Sequence, residues 1–126
     1  MSDLRKMLER WAELEPAQCK SIKEEFYAKI AGGWESCDSY HFLYTWHSLS
    51  RIQMATQEAI TCRGWGFTLT NVFEPSSGDS PAITGGFDAQ VYESSDGNYA
   101  DAVWCADADT PAEALLLAYL TALESL

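Results

Sequence analysis

The segment Cys105–Leu126, CADADTPAEALLLAYLTALESL, decides how this chain must be layered. Thr110 is placed as a helix cap, Pro111 takes the first helical position, and Glu113 follows the cap by three residues, the spacing of a capping box. Leu116, Leu120 and Leu123 then form one apolar side, and Leu115, Ala118, Tyr119 and Ala122 adjoin it. So wide an apolar surface needs cover on more than one side. It predicts a helix lying between a sheet and earlier helices, or against a second copy of itself. Ala112, Ala114, Ala118 and Ala122 are small enough to allow close approach to a sheet.

Upstream the period is that of strands. "YADAVWCA" and "FDAQVYE" alternate, joined by the Asp-Gly turn of "SSDGN", and should pair antiparallel. In "WGFTLTNVF", Trp65, Phe67, Leu69 and Phe73 face one way, and Thr68, Thr70 and Val72 the other. Between these strands, "EPSSGDSPAITGG" (74–86) reads as a long, mobile, acidic loop.

The first half reads as helical. Leu4, Met7, Leu8, Trp11 and Leu14 place one helix from Ser2, its cap, to about Glu13. Pro16 opens a second, to Ile30, with Ile22, Phe26, Tyr27 and Ile30 on one side, and Gly32 and Gly33 stop it. Trp34 and Tyr40 fall in a polar loop. A third helix runs from Ser39 or Tyr40 to Thr61 on the steps of Phe42, Trp46, Leu49, Ile52, Ala55 and Ala59, although "YHFLYTW" also fits the start of a strand. The expectation is one α+β domain over 1–126, a three-layer α/β/α sandwich around a short three-stranded antiparallel sheet, in the order ααα-βββ-α.

Composition sets the outer bounds. A chain of 126 residues with 47% hydrophobic and 21% charged residues has enough apolar material for a core. "MSDLRKMLERWAELEPAQ" is charged throughout, no apolar run is long enough to span a bilayer, and a cytoplasmic location is expected. Cys19, Cys37, Cys62 and Cys105 have no zinc-type spacing and are expected to be unpaired thiols, mainly buried.

The net charge of −11 is unevenly spread. All eight bases lie within residues 1–63, together with nine acids, a balance of −1; ten acids and no base follow, a balance of −10. Such a field repels nucleic acid and anionic membranes and attracts basic surfaces. It also aids solubility whatever the function.

Three pieces carry a family resemblance: "AKIAGGW", "EAITCRGWGFTLT" and "ADADTPAEALLLAYLTAL". Together they resemble the small phage and prophage proteins known as phage ABA-sandwich domains, over roughly residues 28–123. The helix over 1–15 looks like an addition to that pattern. The resemblance implies a phage or prophage origin and helices on both faces of one sheet; it carries no catalytic or ligand residues.

Signs of a reaction are few. His41 and His47 are six apart and do not share a helix face, so they read as structural rather than as a metal pair. Cys37 lies near His41 in sequence, but spacing says nothing about whether the two meet in space as a nucleophile pair. Asp88, Asp101, Asp107 and Asp109 could gather round a divalent metal, but acids on a solvated strand face are commoner. No phosphate-binding loop is present. Arg5, Lys6, Arg10, Lys20, Lys23 and Lys29 are interleaved with Glu9, Glu13, Glu24 and Glu25, as on a solvated helix face, so no direct nucleic-acid binding is expected.

Two functions fit these residues, neither enzymatic and neither needing a metal or cofactor. In the first, the acidic half binds a basic host protein, interfering with host defence or nucleic-acid machinery by imitating the charge of DNA. Asp79, Asp88, Glu93, Asp96, Asp101 and Asp107 supply the field, and Phe73, Tyr92 or Tyr99 the anchors. In the second, a small nucleotide-like ligand meets Arg63 or Arg51 with its phosphate and stacks on Trp65 or Trp34; Arg63 equally suits the closing of a helix end. Homodimerisation through the first or terminal helix is compatible with both.

Overall fold

The apolar stripe of the first helix survives folding intact. In the computed structural model, which describes residues 3–74, 82–93 and 103–126, helix α1 runs Asp3–Leu14 and its Leu4, Leu8 and Trp11 are fully buried. Pro16 follows in a turn, where a helix cannot continue.

The expected second helix is instead a pair of strands, β1 (Cys19–Ile22) and β2 (Glu25–Ile30), with β3 (Gly33–Ser39) completing a first antiparallel sheet. Ile22, Phe26 and Ile30 are four apart, a spacing that is compatible with a helix and equally keeps strand parity. Burial decides between them: Cys19, Phe26 and Ala28 are inside, whereas Ile22 is exposed. The chain reverses at Lys23, which has a φ of 55°. Ala31 and Gly32, with φ of 56° and 82°, then make the two-residue turn into β3, which suits the twist of a hairpin. The Glu58 carboxylate accepts hydrogen bonds from the Ala31 and Gly32 amides and holds that turn. The glycines read as a helix stop are therefore hairpin residues, and Trp34 lies on a strand rather than in a loop.

A single 3-10 turn (Tyr40–Phe42) precedes helix α2, Trp46–Cys62. The helix starts later than its apolar spacing suggests because the Thr45 hydroxyl caps it, accepting from the Ser48 amide at 3.2 Å. It ends at Arg63 and Gly64, whose φ of 76° favours glycine.

The strand half follows its alternation. β4 (Gly66–Glu74), β5 (Ala82–Tyr92) and β6 (Val103–Ala108) form a second antiparallel sheet with β5 in the middle. The long loop expected over 74–86 is shorter, since Glu74 pairs with Ala82 and residues 82–86 are strand. The Asp-Gly turn expected at 94–98 lies outside the described residues. At Gly86 the φ is 73°, and a Cβ would run into the Ala108 carbonyl and stand 2.9 Å from the Asp109 Cα, so the β5–β6 crossing is closed to any side chain there.

Helix α3, Pro111–Glu124, has the expected start: the Thr110 hydroxyl accepts from the Glu113 amide at 3.2 Å. Nearly every side of it is buried, against β5 and β6 on one side and against α1 and α2 on the other. It lies between a sheet and the earlier helices, one of the two arrangements its sequence allowed. The other helices, α1 against β1 and α2 against β2 and β3, contact the first sheet. The chain is thus α+β, but with two three-stranded sheets in the order αβββαβββα rather than one sheet in the order ααα-βββ-α. Two reassignments account for the difference: residues 16–30 form two strands instead of a helix, and residues 33–39 form the third strand instead of a loop.

Candidate functional site

Four acids of the second half, Asp88, Asp107, Asp109 and Glu113, lie around the junction between β6 and α3. Across the second sheet, Asp88 on β5 sits directly opposite Asp107 on β6, with Thr70 of β4 on the far side of Asp88. Their neighbours on the other face, Ala89, Val91 and Ala106, pack toward α3, so the two aspartates face outward. The Asp88 pKa is raised, first by hydrogen bonding with Asp107 and then by burial. Like charges placed opposite one another on a sheet cost stability.

From Asp107 the chain passes through Asp109 into the cap of α3. Glu113 is held by two hydroxyls: Thr110 donates to its Oε1 and Tyr44 to its Oε2, each at 2.9 Å. Asp107, Asp109 and Glu113 line one side of a cavity of about 430 Å³ whose apolar part comes from Met7, Ala108 and Leu117. Three carboxylates round an apolar floor can receive the aliphatic stem and cationic head of a lysine or arginine. Beyond the cap lies a smaller cleft of about 210 Å³, lined by Trp46, Leu49, Thr110 and Pro111 among others. Trp46 is 83% exposed, an apolar anchor set beside the acidic cavity.

Of the acids expected to recognise a partner, Asp88 and Asp107 are brought together, and Glu93 is exposed just past the end of β5. Asp79, Asp96 and Asp101 lie outside the described residues, as does Tyr99 and the side chain of Phe73. Tyr92 is buried and offers no anchor. Sequence reasoning passed over Glu113 and Trp46 because it assigned both to their helices: one as a capping residue, the other as part of an apolar face. The spacing of Asp107, Asp109 and Glu113 around Thr110 and Pro111 was the available signal, since a strand-to-helix corner turns all three toward one place.

The alternative ligand residues are engaged internally. The Arg63 guanidinium binds the Glu15 carboxylate, Nε at 3.0 Å and the terminal nitrogen at 2.8 Å, and Nε also donates to the Tyr119 hydroxyl at 3.0 Å. Burial disfavours its charge, but those bonds outweigh burial and raise its pKa. Trp65 stacks on Trp104 with centroids 5.5 Å apart. Arg51 donates to the Ser36 carbonyl at 2.8 Å and to Glu35 at 3.4 Å. Arg63 and Arg51 therefore tie elements together, and a phosphate would have to displace those bonds.

Cys19 and Cys37 are buried, Cys62 and Cys105 are exposed, and the four form no disulfide, so the expectation of mainly buried thiols holds for half of them. His41 is exposed, with its Nε2 3.9 Å from Glu24. Among the described residues no three His, Cys, Asp or Glu side chains are placed to share a metal ion, and no helix is long and apolar enough to cross a membrane. Comparison with protein-family models, with curated proteins and with solved structures found no match.

Proposed function

We propose that this is a non-enzymatic accessory protein of phage type that acts in the bacterial cytoplasm by binding a basic surface on a host protein. The observation that supports it most is the cavity at the β6–α3 junction, which Asp107, Asp109 and Glu113 line and, among the described residues, no base does. A basic side chain of the partner inserts there, Trp46 packs against the partner's apolar surface, and Asp88 and Glu93 extend the field that steers the encounter. An acidic surface of this kind competes with nucleic acid for its partner, and interference with host defence or nucleic-acid machinery follows from that competition.

The cost of keeping Asp88 opposite Asp107 supports the same reading. Nothing inside the fold among the described residues offsets it by an ion pair, and a site that breaks a local stability rule is where function is to be sought.

The test is affinity capture from bacterial lysate with the wild-type chain and with the D107K/D109K variant, at low and moderate salt. The expected result is a basic protein held by wild type, released as salt rises and lost in the variant. A protein retained equally by both, or insensitive to salt, would rule out recognition through these acids.

A further inference from the structure

The first sheet carries a feature that a helical reading of residues 16–30 conceals. On a helix, Lys20 and Lys29 would be interleaved with Glu24 and Glu25; on strands, alternation sorts them. Cys19, Phe26 and Ala28 face the core, so Lys20, Tyr27 and Lys29 face outward, and Trp34, paired in register with Lys29, shares that face. Trp34 is 42% exposed, with the Lys20 Nζ 4.3 Å and the Lys29 Nζ 5.5 Å from its ring centroid.

Two ammonium groups lie over the ring of one exposed indole and form a cationic spot. Among the described residues neither lysine takes part in an ion pair, while Arg5 and Arg51 each do. Two of the nearby carboxylates are paired with other bases, and a third, Glu25, lies on this outer face. Glu35, next in sequence to Trp34, is paired in register with the inward-facing Ala28 and meets Arg51 of α2; Glu24 meets Arg5; and Glu25 accepts from the Tyr27 hydroxyl at 2.8 Å. An exposed cation–π contact is worth only about 0.5–1 kcal/mol, so the lysines can turn to an anion with little loss.

We propose that the outer face of the first sheet binds a mononucleotide, with the base on Trp34 and the phosphate between Lys20 and Lys29. One exposed ring and two cations match one base and one phosphate group. The net charge of −11 opposes the approach of a polyanion far more than that of a single nucleotide, which favours the free nucleotide over a strand. This site is independent of the acidic cavity and replaces Arg63, Arg51 and Trp65 as the place where a nucleotide would be held.

The experiment is a titration of the full chain with ADP, followed by two-dimensional NMR of the indole N–H signals, the Trp34 signal being assigned by its loss in W34F. The expected result is a saturable shift of that signal, with affinity reduced at least about fivefold in W34A and in K20A/K29A and largely kept in W34F, since base–aromatic stacking contributes roughly this much or more. Inorganic tripolyphosphate should bind more weakly than ADP. The proposal is overturned if ADP leaves the Trp34 signal in place, if W34A binds as wild type does, or if tripolyphosphate binds as well as ADP, which would mark a charge patch only. An eight-residue oligothymidylate binding more than tenfold tighter than ADP would overturn the assignment to a free nucleotide. Trp34 and both lysines lie outside the buried core, and unchanged circular dichroism of each variant separates lost binding from lost fold.

Discussion

The Tyr119 hydroxyl donates to Glu15 Oε1 at 2.6 Å, joining the end of α1 to the middle of α3 across 104 residues of chain. The same oxygen accepts from the Trp11 indole at 2.9 Å, and Oε2 takes Arg63 at the end of α2. One carboxylate thus ties all three helices together, and burial followed by the Glu15 bond pushes the Tyr119 phenol pKa well up. Removing it leaves three donors without their acceptor. Glu15→Ala is expected to cost about 3–5 kcal/mol and Tyr119→Phe about 1.5–3 kcal/mol. Urea denaturation of both variants and of the double variant checks this. Strictly additive losses would mean that the two residues do not act as one tie.

Helix α1 belongs to the core despite its appearance as an addition in sequence. Trp11 is fully buried, 5.8 Å from Phe26 and 6.2 Å from Tyr119 between ring centroids. Trp11→Ala should destabilise by about 3–5 kcal/mol, and deletion of residues 1–14 should abolish the cooperative thermal transition. A truncated chain that melts as wild type does would make the helix an appendage.

The Asp88 pair sets a pH dependence. Its pKa is raised, so the fold favours the protonated carboxyl: that stabilisation is complete below the ordinary carboxylate range and is lost as pH rises through the raised value. As Asp88 loses its proton, it loses the hydrogen bond that it donates to Asp107. Asp88→Asn, which can donate permanently to Asp107, should melt higher than wild type at neutral pH and show a flatter Tm profile from acid to neutral. Parallel profiles for the two proteins would exclude the pair as the cause.

The cysteines should divide two and two toward a thiol reagent under native conditions. Cys62 and Cys105 are exposed and should react quickly. Cys37 is buried, and Cys19 is buried with its thiol pKa raised, first by burial and then by Glu15, so both should wait for unfolding. Reagent consumption with time, before and after denaturant, measures the split.

Local signals carried much of the fold. Thr110, Pro111 and Glu113 mark the start of α3 because capping involves neighbours in sequence, and the apolar steps of α1 and α2 name their buried faces. The alternation in 65–73, 87–93 and 99–106 marks the strands of the second sheet for the same reason. Residues 16–30 read as a helix because Ile22, Phe26 and Ile30 recur at a helical step, and only the hairpin at Lys23, which puts Ile22 on the opposite face from Phe26, shows otherwise.

Sequence by itself determined the buried sides of the three helices, the alternation of the second sheet's strands and the acidic second half. Tertiary structure decided what those residues meet. It consumed Arg63 in a tie with Glu15 and Tyr119, gathered Asp107, Asp109 and Glu113 round one cavity, and sorted Lys20 and Lys29 onto one face with Trp34. The reason is range: caps and periodicity act within a few residues, whereas ion pairing and register join positions as far apart as Glu15 and Tyr119 and exist only once the chain has packed.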